Sequence, residues 1–159
     1  METEKTGEVV LRRLHELGLE LPELRLPIGE YVSAVRAGNL LFVSGHGPIR
    51  NRERVYIGRL GAELTLEDGR EAAKLVILNL LCTVQNALGS LDRVQRVVKL
   101  LAFVNSALDF HDQPKVIDSA SELLVAVFGE QGRHARSAIG TSVLPFNIAV
   151  EIEAVFEIA

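Results

Sequence analysis

The end of the chain constrains the fold most. Ile148, Val150, Ile152, Ala154, Phe156 and Ile158 alternate without a break, while Glu151, Glu153 and Glu157 fall between them. Successive side chains of a strand point to opposite faces, so this stretch reads as a strand with one apolar face and one polar face. The apolar face requires a covering layer. Two helical stretches can supply it. Thr65 and Asp68 have the spacing of a capping box, with Asp in the place of the usual Glu. Behind them Ala73, Val76, Leu80, Val84 and Leu88 recur every three or four residues, and Gly89 closes the helix. Pro114 opens a second helix that runs to about Phe128, with Gly129 after it.

The remaining strands follow from pattern and turn chemistry. Tyr31 to Ala37 and Leu40 to Ser44 flank Gly38-Asn39, a hairpin pair in which both residues tolerate positive φ. The second of these strands ends in Ser44-Gly45-His46-Gly47-Pro48, where the backbone can turn sharply. A polar loop with Arg50, Arg52, Arg54 and Arg59 reads as solvated. Val94 to Val104 is apolar on both parities, with Val98, Leu100, Ala102 and Val104 on one side and Val97, Leu101 and Phe103 on the other. Such a strand needs cover on both faces, and a neighbouring subunit is the simplest supplier of the second layer. Ala135 to Val143 forms a further strand. At the start, Val9, Leu11, Leu14 and Leu17 mark a short amphipathic helix from Glu8 to Leu17, and Pro22 and Pro27 bracket a linker.

The order is therefore β-β-α-β-α-β-β after a helical extension. All 159 residues read as one domain, with residues 1–27 as extension and linker and residues 28–159 as the core. The fold class is α+β, a mixed sheet with two helices on one face.

Charge and cysteine narrow the functional classes. A net charge of −4 gives no long-range field to draw in a polyanion, which argues against nucleic acid as the main partner. Cys82 is the one cysteine, so no intrachain disulfide forms, as suits a reducing cytosol. Met1 to Thr6 is polar and lacks the apolar region of a signal peptide. No apolar run approaches the ~20 residues that span a bilayer. Four scattered histidines and a helical cysteine show no metal-ligand spacing. A cytoplasmic protein without a membrane anchor is expected.

Several segments resemble one family. Ile28-Gly29-Glu30-Tyr31-Val32 resembles its Gly-x-Tyr segment, and Phe42-Val43-Ser44-Gly45-His46-Gly47-Pro48 resembles its Ser-Gly-Gln-x-Pro strand end. The stretch Val97-Val98-Lys99-Leu100-Leu101-Ala102-Phe103-Val104 is similar to its central strand. The specific part is C-terminal: Arg136-Ser137, Leu144-Pro145 and Val150-Glu151-Ile152-Glu153-Ala154. On these residues the chain is identified as a member of the RidA/YjgF family, the reactive-intermediate imine deaminases, also known as L-PSP endoribonuclease-like proteins. It looks like a longer subgroup with an N-terminal helix. The resemblance implies a chorismate-mutase-like fold of the bacillus type, a homotrimer, and ligand clefts between subunits. It implies hydrolysis of 2-imino acids to 2-keto acids and ammonia. The signature arginine, Arg136, would hold the substrate carboxylate, and Glu151, fifteen residues on, would serve the attacking water. Tyr31 and Ser44 would line the cleft.

That assignment is chemically self-consistent. A guanidinium is permanently charged and grips a carboxylate through two parallel hydrogen bonds. An imine carbon is already electrophilic, so one acid/base and good orientation suffice, and no cofactor is expected. The chain departs from the family pattern at His46 (Gln in the family), His134 (Pro), Ala138 (Cys) and Gly140 (Glu). His46 and His134 are the additional candidates, as groups able to handle protons. The departures leave a second reading open, a non-catalytic trimer that binds a small carboxylate-bearing metabolite. RNA cleavage is a third, which the acidic charge disfavours.

Overall fold

The computed structural model describes residues 8–159. The polar leader from Met1 to Thr6 lies outside them. After helix α1 (Val9–Glu16) and an extended linker, the chain forms β1 (Ala34–Ala37), β2 (Leu40–His46), a small hairpin of β3 (Ile49–Arg50) and β4 (Glu53–Arg54), α2 (Leu66–Leu88), β5 (Val94–Asn105), α3 (Gln113–Phe128), β6 (Ala135–Thr141) and β7 (Val150–Ile158). Five strands make one mixed sheet in the order β1-β2-β7-β5-β6. Only β5 and β6 run parallel; the other neighbours are antiparallel. This is the expected α+β, chorismate-mutase-like architecture.

The caps explain where α2 begins and ends. The Thr65 hydroxyl accepts from the Asp68 amide at 3.1 Å, and the Asp68 carboxylate accepts from the Thr65 amide at 2.9 Å, which satisfies two amides the first turn leaves free. Gly89 takes the left-handed conformation at φ +81° and closes the helix. Helices α2 and α3 lie on one face of the sheet. There Val150, Ile152, Phe156 and Ile158 of β7 join Val76, Ile77, Leu80, Ile117 and Leu124 in a core that is almost inaccessible to water.

Strand β5 differs from the simple alternation in one respect. Its register against β7 slips between Val94 and Arg96 and again between Val97 and Lys99. Each bulge inserts a residue and inverts the parity beyond it. Val97, not Val98, therefore joins Leu100, Ala102 and Val104 in the fully buried set. Leu101 and Phe103 face the other way, as expected.

Three further boundaries shift. Strand β1 starts at Ala34 rather than Tyr31. The Ser44 amide still reaches the Ser33 carbonyl at 2.9 Å, but β2 bulges between Val43 and His46 and regular pairing ends there. Strand β6 stops at Thr141, whose hydroxyl bonds the Val143 carbonyl at 2.6 Å and turns the chain. The arginine-rich loop contains the β3–β4 hairpin, whose turn residues Asn51 and Arg52 sit at φ +51° and +67°, the left-handed pair that a tight two-residue turn needs.

Helix α1 packs against α3 and the single helical turn Leu91–Arg93. Leu14 is 1% exposed. The Asp92 carboxylate accepts from the Val9 and Val10 amides at 2.9 and 3.0 Å, so a residue 82 positions away caps the helix. The extension thus covers the helical layer and leaves the other face of the sheet open. That face presents Val35, Phe42 and Ile139, which are 52%, 45% and 46% exposed, beside half-buried Leu101, Phe103 and Val155. No helix of the described residues is long and apolar enough to cross a membrane.

Candidate active site

The bulge in β2 opens the sheet at one end and creates a cleft of about 280 Å3. Tyr31, Ser44, His46 and Glu151 all line it, together with the linker and the face of α2 carrying Asn79, Cys82 and Thr83. Four of the six residues singled out by sequence therefore meet in one place. The remaining two, Arg136 and His134, lie elsewhere on the same chain.

Glu151 leaves β7 on the open face, opposite Phe103. It fits because position 45 is glycine: a Cβ there would stand 2.9 Å from the Glu151 Oε1. Burial raises the Glu151 carboxyl above its ordinary pKa, and the neighbouring Glu153 charge adds to the effect. The acid form therefore persists to higher pH than in a solvated glutamate, which brings the group nearer the range in which proton transfer is efficient.

Both nitrogens of His46 are occupied. Nδ1 donates to the Ser44 carbonyl at 2.6 Å, and Nε2 accepts from the Thr83 hydroxyl at 2.7 Å. Burial lowers its pKa, against a smaller opposing effect of the Ser44 carbonyl. With both nitrogens engaged, the imidazole pins the bulged end of β2 to α2. Ser44 donates to the Val32 carbonyl at 2.8 Å and holds the Tyr31 segment beside the cleft.

On the far edge of the sheet, Arg136 pairs in register with Leu100 and so projects toward the helices. Its Nη2 donates to Asp118 Oδ1 at 2.8 Å, and its Nη1 donates to the Ser121 hydroxyl at 3.1 Å. Ser121 in turn donates to His134 Nε2 at 2.9 Å, while His134 Nδ1 donates to the Gly132 carbonyl at 2.6 Å. Burial lowers the His134 pKa, and the Arg136 charge lowers it further. His46 and His134 sit in separate networks, His46 with Ser44 and Thr83 and His134 with Ser121 and Gly132. Arg136 and Glu151 are separated by β5 and leave opposite faces of the sheet.

Other cleft residues escaped the sequence reading. Arg25 lies in the stretch between Pro22 and Pro27, and Arg54 in the arginine-rich loop, where β4 brings it to the cleft rather than leaving it wholly solvated. Arg54 stacks on the exposed ring of Phe146, with its guanidinium carbon 3.4 Å from the ring centroid. Phe146 and Asn147 both adopt φ +57°, a costly conformation for such residues, and the Asn105 side chain steadies the turn through Asn147 Oδ1 at 3.0 Å. Nothing in local periodicity marks these residues, since fold contacts alone bring them to the cleft. Cys82 of α2 is half-buried at the cleft wall and donates to the Pro22 carbonyl at 3.1 Å.

The fold is shared with known proteins. Residues 11–157 match the family described as "YjgF/chorismate mutase-like, putative endoribonuclease", and the chain belongs to that family, the RidA/YjgF proteins. It is 46% identical over 150 residues to Protein TCP17 of Trypanosoma cruzi, with 94% of each chain covered. It is 30% identical over 129 residues to the 2-iminobutanoate/2-iminopropanoate deaminase of Dermatophagoides farinae, covering 81% of this chain and 86% of that one. The crystal structure of Atu1372 from Agrobacterium tumefaciens, a protein of unknown function, superposes with a TM-score of 0.91 at 42% identity, covering 96% of this chain and 94% of that one.

Proposed function

We propose that the protein is a cytoplasmic enzyme that hydrolyses small reactive 2-imino acids to 2-keto acids and ammonia, in clefts shared between the subunits of a homotrimer. The observation that carries this reading is Glu151, a half-buried carboxyl with a raised pKa in a cleft with Tyr31 and Ser44. The similarity to an imine deaminase supports the substrate class.

The chemistry requires little. Glu151 takes a proton from water as its oxygen attacks the imine carbon, and the former C=N electron pair goes to nitrogen. The proton passes through the same carboxyl to nitrogen. As the tetrahedral adduct collapses, its hydroxyl proton passes by way of the same carboxyl to the amino nitrogen, the C–N bond breaks with its electron pair on nitrogen, the oxygen lone pair closes the C=O bond, and ammonia leaves. A positioned acid/base of this kind contributes roughly 10²–10⁴-fold.

Arg136 enters through assembly. One chain cannot aim Arg136 and Glu151 at the same small molecule, because β5 stands between their strands. A second copy can supply the arginine. Arg136 sits on edge strand β6, and the uncovered apolar face of the sheet favours association. Asp118 and Ser121 then act as the groups that orient the guanidinium before a substrate carboxylate arrives.

The deciding experiment mixes two inactive variants. Arg136→Ala and Glu151→Gln are each purified, unfolded, mixed in equal amounts and refolded. Keto-acid release from 2-iminopropanoate is then followed. A shared cleft restores activity to about a quarter of wild type, the fraction of clefts that receive both intact residues under random assembly. No recovery, with each variant assembled normally, defeats the shared site. Failure of the wild type to accelerate hydrolysis of several imines defeats the reaction. A carboxylate that shifts the melting temperature without turnover would favour a non-catalytic binding trimer instead.

A further inference from the structure

The cleft holds a cation that the reading above does not use. Arg25 lines the same cleft as Glu151, Ser44 and Tyr31, and it also borders the groove that the linker forms over α2 and α3. Its Nη1 is fully shielded from water and has no hydrogen-bond partner among the described residues. A shielded guanidinium nitrogen without an acceptor is costly, and native structures ordinarily satisfy such groups. The nearby carboxylates do not serve it. Glu23, two residues earlier, is bound in a bidentate pair to Arg52. Glu151 lines the same cleft, but no hydrogen bond or ion pair among the described residues joins it to Arg25. A second cation, Arg54, reaches the cleft, and among the described residues its guanidinium is engaged by the face of Phe146. The cleft of a single chain thus carries two guanidinium groups that no carboxylate of the described residues neutralises.

We propose that Arg25, with Arg54 beside it, forms a second anion-binding position, so that the cleft takes molecules with two acidic groups in preference to those with one. The chemistry of the position is that of a carboxylate or phosphate oxygen, which a guanidinium binds through parallel charge-assisted hydrogen bonds. The inference deepens the proposed function. If the neighbouring chain's copy of Arg136 holds the carboxylate beside the imine carbon, Arg25 holds an acidic group at the other end. The substrate class is then the 2-imino acids with an acidic side chain, the kind formed by oxidation of acidic amino acids. Arg25 belongs to the linker that follows α1, which gives the extension a part in specificity.

The test separates binding from turnover. Propionate, succinate and phosphoglycolate are titrated calorimetrically into the full-length protein, the Arg25→Ala variant and the Arg25→Lys variant, each checked for unchanged thermal unfolding. Succinate or phosphoglycolate is expected to bind at least tenfold more tightly than propionate. Arg25→Ala removes that difference without weakening propionate, and Arg25→Lys restores part of it. The better of the two diacids identifies carboxylate or phosphate as the second group. Equal affinities in the wild type, or a difference that survives Arg25→Ala, overturns the proposal. In parallel, 2-iminosuccinate and 2-iminopropanoate are generated in situ by amino-acid oxidases and their hydrolysis is followed. Faster hydrolysis of iminosuccinate that falls at least tenfold in Arg25→Ala, with iminopropanoate little changed, supports both readings. Arg25-dependent diacid binding with neither imine hydrolysed retains the anion position and removes the imine reaction.

Discussion

Three ionisable side chains at the cleft and the β6 edge shift in directions that make opposite predictions. Glu151 is raised by burial and then by Glu153. Its folded state therefore holds the proton more tightly than the unfolded chain, and ionisation costs stability as pH rises through the folded value. Glu151→Gln removes that cost. The variant should need more urea to unfold at pH 7.5 and lose the advantage near pH 4, while imine hydrolysis falls roughly 10²-fold or more. Equal urea midpoints at neutral pH would contradict the burial argument. The wild-type activity profile should show an acid limb above the ordinary carboxylate range, absent from whatever activity the variant retains. His46 and His134 are both lowered chiefly by burial. Their contribution to stability is complete above the unfolded value of about 6.5 and is lost as pH falls through the folded values. Urea midpoints measured between pH 7.5 and 5 should decline, and His46→Gln should flatten part of that decline.

At the scale of elements, two attachments decide whether the cleft keeps its shape. Strand β6 follows a helical turn in which Gly132 presses against α3. A Cβ at that position would lie 2.3 Å from the Leu124 carbonyl oxygen, a backbone atom that cannot swing aside. Gly132→Ala should therefore destabilise by about 3 kcal/mol or more, the upper part of the range for forced overpacking, and should displace Arg136 with β6. A chemical denaturation midpoint near wild type would refute this. Helix α1 is anchored by Leu14 and by the Asp92 carboxylate. Leu14→Ala should cost about 2–3 kcal/mol, the low end for a buried leucine because a short peripheral helix can relax around the loss. If the extension positions Arg25, the same change should weaken diacid binding more than propionate binding.

For the whole molecule the open face of the sheet sets the expectation. Phe42, Val35 and Ile139 are too exposed for large apolar side chains that share one strip with Leu101 and Val155. Light scattering should give a mass near 52 kDa, three times the chain's 17.4 kDa. Phe42→Glu should shift the mass toward the monomer and abolish hydrolysis together, because it leaves Glu151 and its cleft in place but separates them from the neighbour's arginine. A monomer at micromolar concentration in the wild type would remove the shared cleft along with the trimer.

The layered fold was legible because its determinants are local and periodic. The alternation in β7, the capping box at Thr65 and the stop at Gly89 each act within a few residues and need no knowledge of the rest of the chain. The sequence likewise singled out Glu151, Tyr31, Ser44 and His46, which the fold gathers into one cleft. What local pattern cannot express is where the sheet order sets two distant strands. Arg136 and Glu151 look like partners along the chain, yet β5 inserts between β6 and β7 and sends their side chains to opposite faces. Bulges are equally hidden, since the slip at Val97 arises from pairing with β7 and not from the residues of β5 themselves. Arg25 was invisible for the same reason. A lone arginine in a proline-bounded linker has no periodicity, and only the packing of that linker across α2 shields its Nη1 from water and sets the half-buried side chain at the cleft with no partner for that nitrogen among the described residues.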